Sequence, residues 1–276
     1  MSLLTRLTSI LFIDVCHGIP FKGFIPGDFR LQHRYDEVWV SSPFLKSIYE
    51  ERFGFPTGIV RPLGYARSDK LFLKAPPNPA FRADNAIPAS SRIILYAPTW
   101  QQDDGGRDLF PFGESQDTFI EALSEVCGTH GATLVIRSHL NASISTRLFD
   151  NVRYCSMKDY PDTEDLLLQT DVLICDWSSI AFDFLALDRP TLFLDVEPPF
   201  RNGLSLDKNY RFGKIAADMA SLKNALADSL REPENYRADQ GKSHRAVIKE
   251  VYGENTDGRV AARQLERLKG LAGLKD

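Results

Sequence analysis

Asp171-Val-Leu-Ile-Cys-Asp-Trp-Ser-Ser-Ile-Ala-Phe-Asp-Phe-Leu-Ala-Leu187 reads as a buried strand, a tight polar turn and a helix that opens on two hydroxyls. Residues 172–175 are a short apolar run of strand type. Ser178 and Ser179 stand where an N-cap belongs. Ile180, Phe184 and Leu187 recur at helical spacing and predict a stripe that faces the core. A helix N-terminus presents backbone N–H groups and a partial positive charge, so this turn can hold a phosphate; an ordinary capped helix would read the same way.

The same alternation extends in both directions. Strands are expected at 93–96, 133–136, 152–154 and 192–194, and helices at 115–127, 162–169 and 179–187, with a short helix between the second and third of these strands. Apolar strands alternating with amphipathic helices predict an α/β protein with a parallel sheet covered on both faces. Upstream, strands are expected at 10–15, 38–40 and 58–61, and a helix at about 43–53. Ala75-Pro-Pro-Asn-Pro79 is stiff and turn-prone and suits a linker. The chain therefore divides into a first part, 1–74, and a second, 75–276.

Open parallel sheets bind ligands at the carboxyl ends of their strands. His17, Thr99, His139 and the pair Ser178–Ser179 each follow a predicted strand. His17 is followed by Gly18, which allows close backbone approach, and its imidazole can take a proton from a hydroxyl at neutral pH. A hydrogen-bonded structural histidine is the alternative. Arg137 or His139 could bind phosphate oxygens, or form a surface salt bridge and a loop histidine. Thr99 and Trp100 could wall a nucleotide pocket or belong to the core. Asp103-Asp-Gly-Gly-Arg107 is a loop and a weak metal candidate. His33, His130 and His244 read as structural, with His130-Gly131 ending a helix.

With 276 residues, 43% of them hydrophobic, the chain can bury a large core without staples. A formal net charge of −4 argues against broad nucleic-acid binding. Cys16, Cys127, Cys155 and Cys175 lack metal-ligand spacing and read as buried, reduced thiols. Residues 1–15 are too short for a membrane span and poor as a signal peptide. There is no Walker A loop, dinucleotide glycine fingerprint, Gly-x-Ser-x-Gly or His-Glu-x-x-His.

Six segments taken in order resemble the CDP-glycerol glycerophosphotransferase family of teichoic acid primases and polymerases. They are Cys16-His-Gly-Ile-Pro-Phe-Lys22, Gly64-Tyr-Ala-Arg-Ser-Asp69, Tyr96-Ala-Pro-Thr-Trp100, Arg137-Ser-His139, Asp171 to Pro190 with its Asp-Trp-Ser-Ser block, and Asp257-Gly-Arg-Val260. An ordered set is more telling than any single segment. The resemblance implies a GT-B-like enzyme: two Rossmann-type lobes, the first (1–74) on the acceptor side and the second (75–276) holding the donor nucleotide. It implies transfer of glycerol phosphate, or a related polyol phosphate, from a CDP-alcohol to a hydroxyl of a polymer or lipid-linked acceptor, in teichoic acid or capsule synthesis, with release of CMP. His17 would be general base and His139 would contact the donor diphosphate. Ser178, Ser179 and Arg137 would bind that diphosphate, and Gly18, Lys22, Thr99, Trp100 and Asp176 would line the donor or acceptor pocket. No metal, cofactor or nucleic acid is implied. The location implied is cytoplasmic, with peripheral contact at the inner face of the plasma membrane left open.

Departures from the family pattern are Cys16 for Trp, Ile19 for Thr, Phe21 for Leu and Ala66 for Pro, all expected to bear on the acceptor side or the donor's alcohol. Only sixteen residues precede His17, so the first lobe reads as shortened. Two other readings stand beside the transferase: a GT-B nucleotide-sugar glycosyltransferase or epimerase, and a truncated noncatalytic relative.

Overall fold

Two parallel sheets organise the molecule. The computed structural model describes residues 10–15, 18–99, 110–138 and 149–273. The expected helix between residues 139 and 151 and the Asp103–Arg107 loop fall largely or wholly outside them. The first sheet has strands β1 (Ile13–Asp14), β2 (Glu37–Trp39) and β3 (Val60–Arg61), in that order. Helix α1 (Pro43–Glu51) follows β2. The side chain of Ser42 accepts from the Leu45 N–H, and Pro43 occupies the first turn, where its missing donor costs nothing.

After β3 come the single turns α2 (Asp69–Phe72) and α3 (Ala80–Asp84), on either side of the proline segment. The second sheet then assembles from β4 (Arg92–Tyr96), β5 (Ala132–Ser138), β6 (Val152–Ser156), β7 (Val172–Cys175), β8 (Thr191–Leu194) and β9 (Lys214–Ala216). Their spatial order is β6-β5-β4-β7-β8-β9, all parallel. The order reverses between β4 and β7, the crevice where a doubly wound sheet binds ligands.

The central strands β5, β4, β7 and β8 are largely apolar because both faces are covered. Ile93, Leu95, Val135, Leu173, Cys175 and Phe193 enter one core cluster. Their alternates Ile94, Tyr96, Leu134, Ile136, Val172, Ile174, Leu192 and Leu194 enter another, as the two-residue period of a strand requires. Helix α4 (Gln116–Thr129) covers the second face with Phe119, Ile120, Leu123, Val126 and Cys127. His130 is its C-cap, followed by Gly131 at φ 62°. Helices α5 (Thr163–Gln169) and α6 (Ile180–Leu185) precede and follow β7. Cys127, Cys155 and Cys175 are free and buried, and burial pushes the Cys127 thiol up to about 12.

Three further helices, α7 (Met219–Arg231), α8 (Pro233–Val251) and α9 (Val260–Ala272), complete the described chain. The last returns to the first sheet. The Asp69 carboxylate accepts from the Val260 and Ala261 N–H groups, capping α9 from outside. Gln264 Nε2 donates to the Gly64 carbonyl at 2.7 Å. Gly64 has φ +95°, and a Cβ there would stand 2.6 Å from a Val260 methyl. Two motif segments far apart in sequence, 64–69 and 257–260, are thus one contact. None of the helices among the described residues is long and apolar enough to cross a membrane.

Buried Glu37 anchors α9. It accepts from Trp39 Nε1 at 2.8 Å, from Arg61 Nε at 3.2 Å and from Arg267. Burial alone would raise its pKa, but the donors on Arg267, Trp39 and Arg61 together hold it below the ordinary value of 4.5. A depressed carboxylate stabilises the fold above its unfolded pKa and loses that contribution as pH falls through the folded value. Glu37→Gln should therefore cost about 1–3 kcal/mol at pH 7. The gap from wild type should narrow below about pH 4.5, as read from urea unfolding at both pH values.

A strap from the second part crosses the first. Gly23 N–H donates to Gly203 O at 2.8 Å, Ser205 N–H to Phe21 O at 2.7 Å and Ser205 Oγ to Lys22 O at 2.5 Å. Arg52 grips the same strap through the carbonyls of Leu204 and Ser205. A Cβ on Gly23 would lie 2.2 Å from the Asn202 carbonyl oxygen, a backbone atom that cannot swing aside. Gly23→Ala should lower stability by about 1–3 kcal/mol and open residues 199–206 to limited proteolysis, while Gly58→Ala, with φ +100° but open space around it, should leave the strap protected.

Candidate functional site

A cavity of about 580 Å³ lies where the two sheets face each other across the β4–β7 crevice. Its walls come from both parts of the chain: Gly18, Lys22 and Arg67 on one side, and Thr99, Arg137 and Ser178–Ser179 on the other. His17, Trp100 and His139 lie outside the described residues. Each adjoins or nearly adjoins a wall residue in sequence: His17 precedes Gly18, Trp100 follows Thr99, and His139 comes two after Arg137.

Asp176 departs from its expected place, because it does not line the cavity. It is 1% exposed and turned inward. Its carboxylate accepts from the backbone N–H of Thr99 at 2.8 Å, from the Thr99 hydroxyl and from the N–H of Trp177 at 2.6 Å. A buried carboxylate needs such donors, and these stitch the loop after β4 to the loop after β7. Trp177 does face the cavity. Its indole N–H donates to Val196 O at 2.7 Å, and the Arg211 guanidinium sits 4.5 Å from its ring centroid.

The N-cap expectation for Ser179 needs correction. The residue is at the cap position of α6, but with φ −61° and ψ −19°, and its side chain makes no capping bond. A cap hydroxyl reaches the helix N–H groups only from an extended backbone. The Ser179 hydroxyl is therefore not spent on the helix, and both serines present themselves at the cavity wall.

Arg137 is no surface salt bridge. It is 7% exposed and donates to the Tyr160 carbonyl at 2.6 Å and to Thr163 Oγ1 at 2.9 Å, so part of its fork holds the approach to α5 while the residue still lines the cavity. Lys22 lines the opposite wall, its Nζ 5.2 Å from the Phe24 ring centroid. Two of the departures from the family pattern are core residues: Ile19 and Phe21 are both 1% exposed. Phe21 packs edge-on to Trp177 at 5.6 Å and against Phe182 at 4.6 Å, so its larger ring fills the seam between the two parts.

Sequence reasoning missed the ion pair of Arg67 and Asp183, both of which line the cavity. Arg67 Nη2 donates to Asp183 Oδ2 at 2.5 Å. Burial pushes the Asp183 carboxyl up to about 6 against the pull of Arg67. The available signal was an acid within an otherwise apolar six-residue helix, Ile-Ala-Phe-Asp-Phe-Leu. Among the described residues no group of three or more His, Cys, Asp or Glu side chains is placed to hold a metal ion.

The teichoic acid glycerol-phosphate transferase of Staphylococcus aureus is 27% identical over 255 residues, covering 89% of this chain and 63% of its own length. The teichoic acid poly(glycerol phosphate) polymerase of Bacillus spizizenii is 24% identical over 279 residues, covering 88% and 70%. The chain spans 63% of the first relative's length and less than half of the Staphylococcus aureus teichoic acid ribitol-phosphate polymerases TarK and TarL, at 46% and 42%. Among solved structures, the wall teichoic acid polymerase TagF, as its H444N variant with CDPG, superimposes with a TM-score of 0.73 at 18% identity, over 95% of this chain and 69% of that one. That likeness makes the fold GT-B-like. The family model for CDP-glycerol:poly(glycerophosphate) glycerophosphotransferase matches residues 4–269, and the chain belongs to that family.

Proposed function

We propose that this chain transfers glycerol phosphate, or a related polyol phosphate, from a CDP-alcohol to a hydroxyl of a cell-surface polymer or lipid-linked acceptor and releases CMP. The observation that carries the reading is the wall of the crevice cavity, where Ser178, Ser179, Arg137 and Lys22 gather hydroxyls and cations in one space. A diphosphate needs that lining, since its charge must be neutralised as it leaves water.

In this reading the acceptor oxygen attacks the phosphorus that bears the alcohol. The new P–O bond forms as the bond to the CMP oxygen breaks, and CMP carries away the bonding pair. His17 takes the acceptor proton as general base, and His139 contacts the donor diphosphate. Ser178 and Ser179 donate to phosphate oxygens, and Gly18 keeps the backbone low beside them. Thr99 and Trp177 bound the pocket, Thr99 held in place by Asp176. The 1–74 lobe serves the acceptor and the 75–276 lobe the donor. Cell-envelope polymers, teichoic acid or capsule, are the acceptor class, and lipid-linked acceptors imply work at the inner membrane surface.

The test is CMP release by purified protein given CDP-glycerol, CDP-ribitol or UDP-sugars, with and without a glycerol-phosphate-primed lipid. Acceptor-dependent release from one CDP-alcohol is expected. His17→Ala should lower kcat by at least about 10²-fold while sparing donor binding. His139→Ala and the Ser178→Ala/Ser179→Ala double variant should each lower kcat/KM for the donor, the latter by about 10²-fold. Release from a UDP-sugar alone, or wild-type turnover by His17→Ala, would contradict the reading.

A further inference from the structure

Arg67 follows β3 and Asp183 lies in α6, so their ion pair crosses the cavity from one part of the chain to the other. Around it, Arg67 Nε lies 4.0 Å from Glu164 Oε1 on α5. That same Nε is buried and has no hydrogen-bond partner among the described residues. Tyr252, at the end of α8, donates its hydroxyl to the Phe182 carbonyl at 3.0 Å and closes the site from behind.

The pair is an expensive choice for packing alone. Asp183 is 5% exposed, and its helix neighbours Ala181, Phe182, Phe184 and Leu185 are fully buried. An apolar side chain would suit that face, and replacing a buried ion pair by well-packed apolar groups is often neutral or stabilising. What the pair does provide is geometry. A Cβ on Gly18 would stand 3.6 Å from Arg67 Nη2 and 3.5 Å from Ser179 Oγ, so Gly18 lies beside both and a side chain there would touch each of them. Tyr65, two residues before Arg67, donates its hydroxyl to the Gly18 carbonyl at 3.2 Å.

We propose that Arg67 and Asp183 are a positioning pair for the transfer reaction: their contact across the cavity fixes the distance at which the Gly18 backbone stands from the Ser179 hydroxyl. The role rests on the transferase reading above. Gly18 follows His17 in the chain, and Ser179 belongs to the phosphate-facing wall. The pair therefore sets the spacing between the acceptor side and the donor side without touching either substrate. Arginine suits the task because its planar fork holds direction as well as charge.

The experiment joins hydrogen exchange with steady-state kinetics on the full chain: wild type, Asp183→Asn, Arg67→Lys, Arg67→Ala and the Arg67→Ala/Asp183→Asn double variant. Asp183→Asn keeps the side-chain shape, and exchange in β7 reports whether the fold survives. Amides of residues 18–24 should exchange roughly tenfold faster in Asp183→Asn with β7 unchanged. With CDP-glycerol as donor, kcat should fall roughly tenfold while KM stays within about threefold. Arg67→Lys should fall between wild type and Arg67→Ala, and the double variant should lose no more than the worse single one, as expected of groups that act as a unit. Unchanged exchange at 18–24 would overturn the proposal. So would acceleration that reaches β7 equally, or a rise in KM with kcat intact, which would make Arg67 a donor ligand. Absence of CMP release by wild type from any donor would remove the transferase reading alone, and the exchange comparison would still decide whether the pair sets the spacing.

Discussion

The Asp176 carboxylate, buried at the point where the strand order of the large sheet reverses, is the contact on which the site depends. Parallel strands β4 and β7 are neighbours there, and the chain leaves them in opposite directions. Two loops that diverge from one crevice leave backbone N–H groups with no strand partner. A single acceptor answers the N–H of Thr99, its hydroxyl and the N–H of Trp177. Burying a lone carboxylate would be prohibitive, but several donors at hydrogen-bond distance offset that cost. With the two loops joined, Trp177, Ser178 and Ser179 have little choice but to face the cavity. A residue that never meets the cavity thereby sets what its floor presents.

The opposite wall is held by segments that come from far along the chain. Helix α9 is capped by Asp69, bonded to Gly64 through Gln264 and tied to Glu37 through Arg267. The strap at 203–205 adds bonds to Phe21, Lys22 and Gly23. Each is worth about 1–3 kcal/mol net, the bonds to the Asp69 and Glu37 carboxylates at the upper end. Their common effect is to tie the first sheet, with three short strands among the described residues, to the C-terminal helices. The main core cluster accordingly draws on both parts of the chain, joining Phe21, Val38, Leu45 and Val60 to Leu173, Phe182 and Phe193.

What could be read from sequence follows from how local each signal is. The apolar runs of β4, β5, β7 and β8 announce strands covered on both faces, and their carboxyl ends announce the side on which ligands bind. Strand β9 carries no such signal: it has three residues and an exposed Ile215. Helix α8 is largely polar, with five buried residues among nineteen, too sparse a stripe to declare itself. Ser179 shows the limit of a capping rule, because residue type marks the position while backbone angles decide whether the hydroxyl serves the helix. The Arg67–Asp183 pair spans 116 positions, and no periodicity connects residues so far apart. The family motifs carried both residues without saying that they meet.

Three buried acids make a final comparison. Glu37 takes bonds from Arg267, Trp39 and Arg61, which outweigh burial and hold its pKa below the usual value. Among the described residues, Asp176 accepts from the N–H and hydroxyl of Thr99 and from the N–H of Trp177. Asp183 takes one arginine, and burial prevails, leaving its carboxyl at about 6. An acid with too few donors is a local inconsistency in an otherwise satisfied core, and such inconsistencies gather where function constrains the structure. Glu37 stands in β2 and Asp176 behind the loops it joins, and neither lines the cavity. Asp183 alone of the three borders the cavity. The acid least reconciled to its surroundings is thus the one that faces the space where a charged substrate would sit, and full satisfaction by further donors would have filled that space with protein.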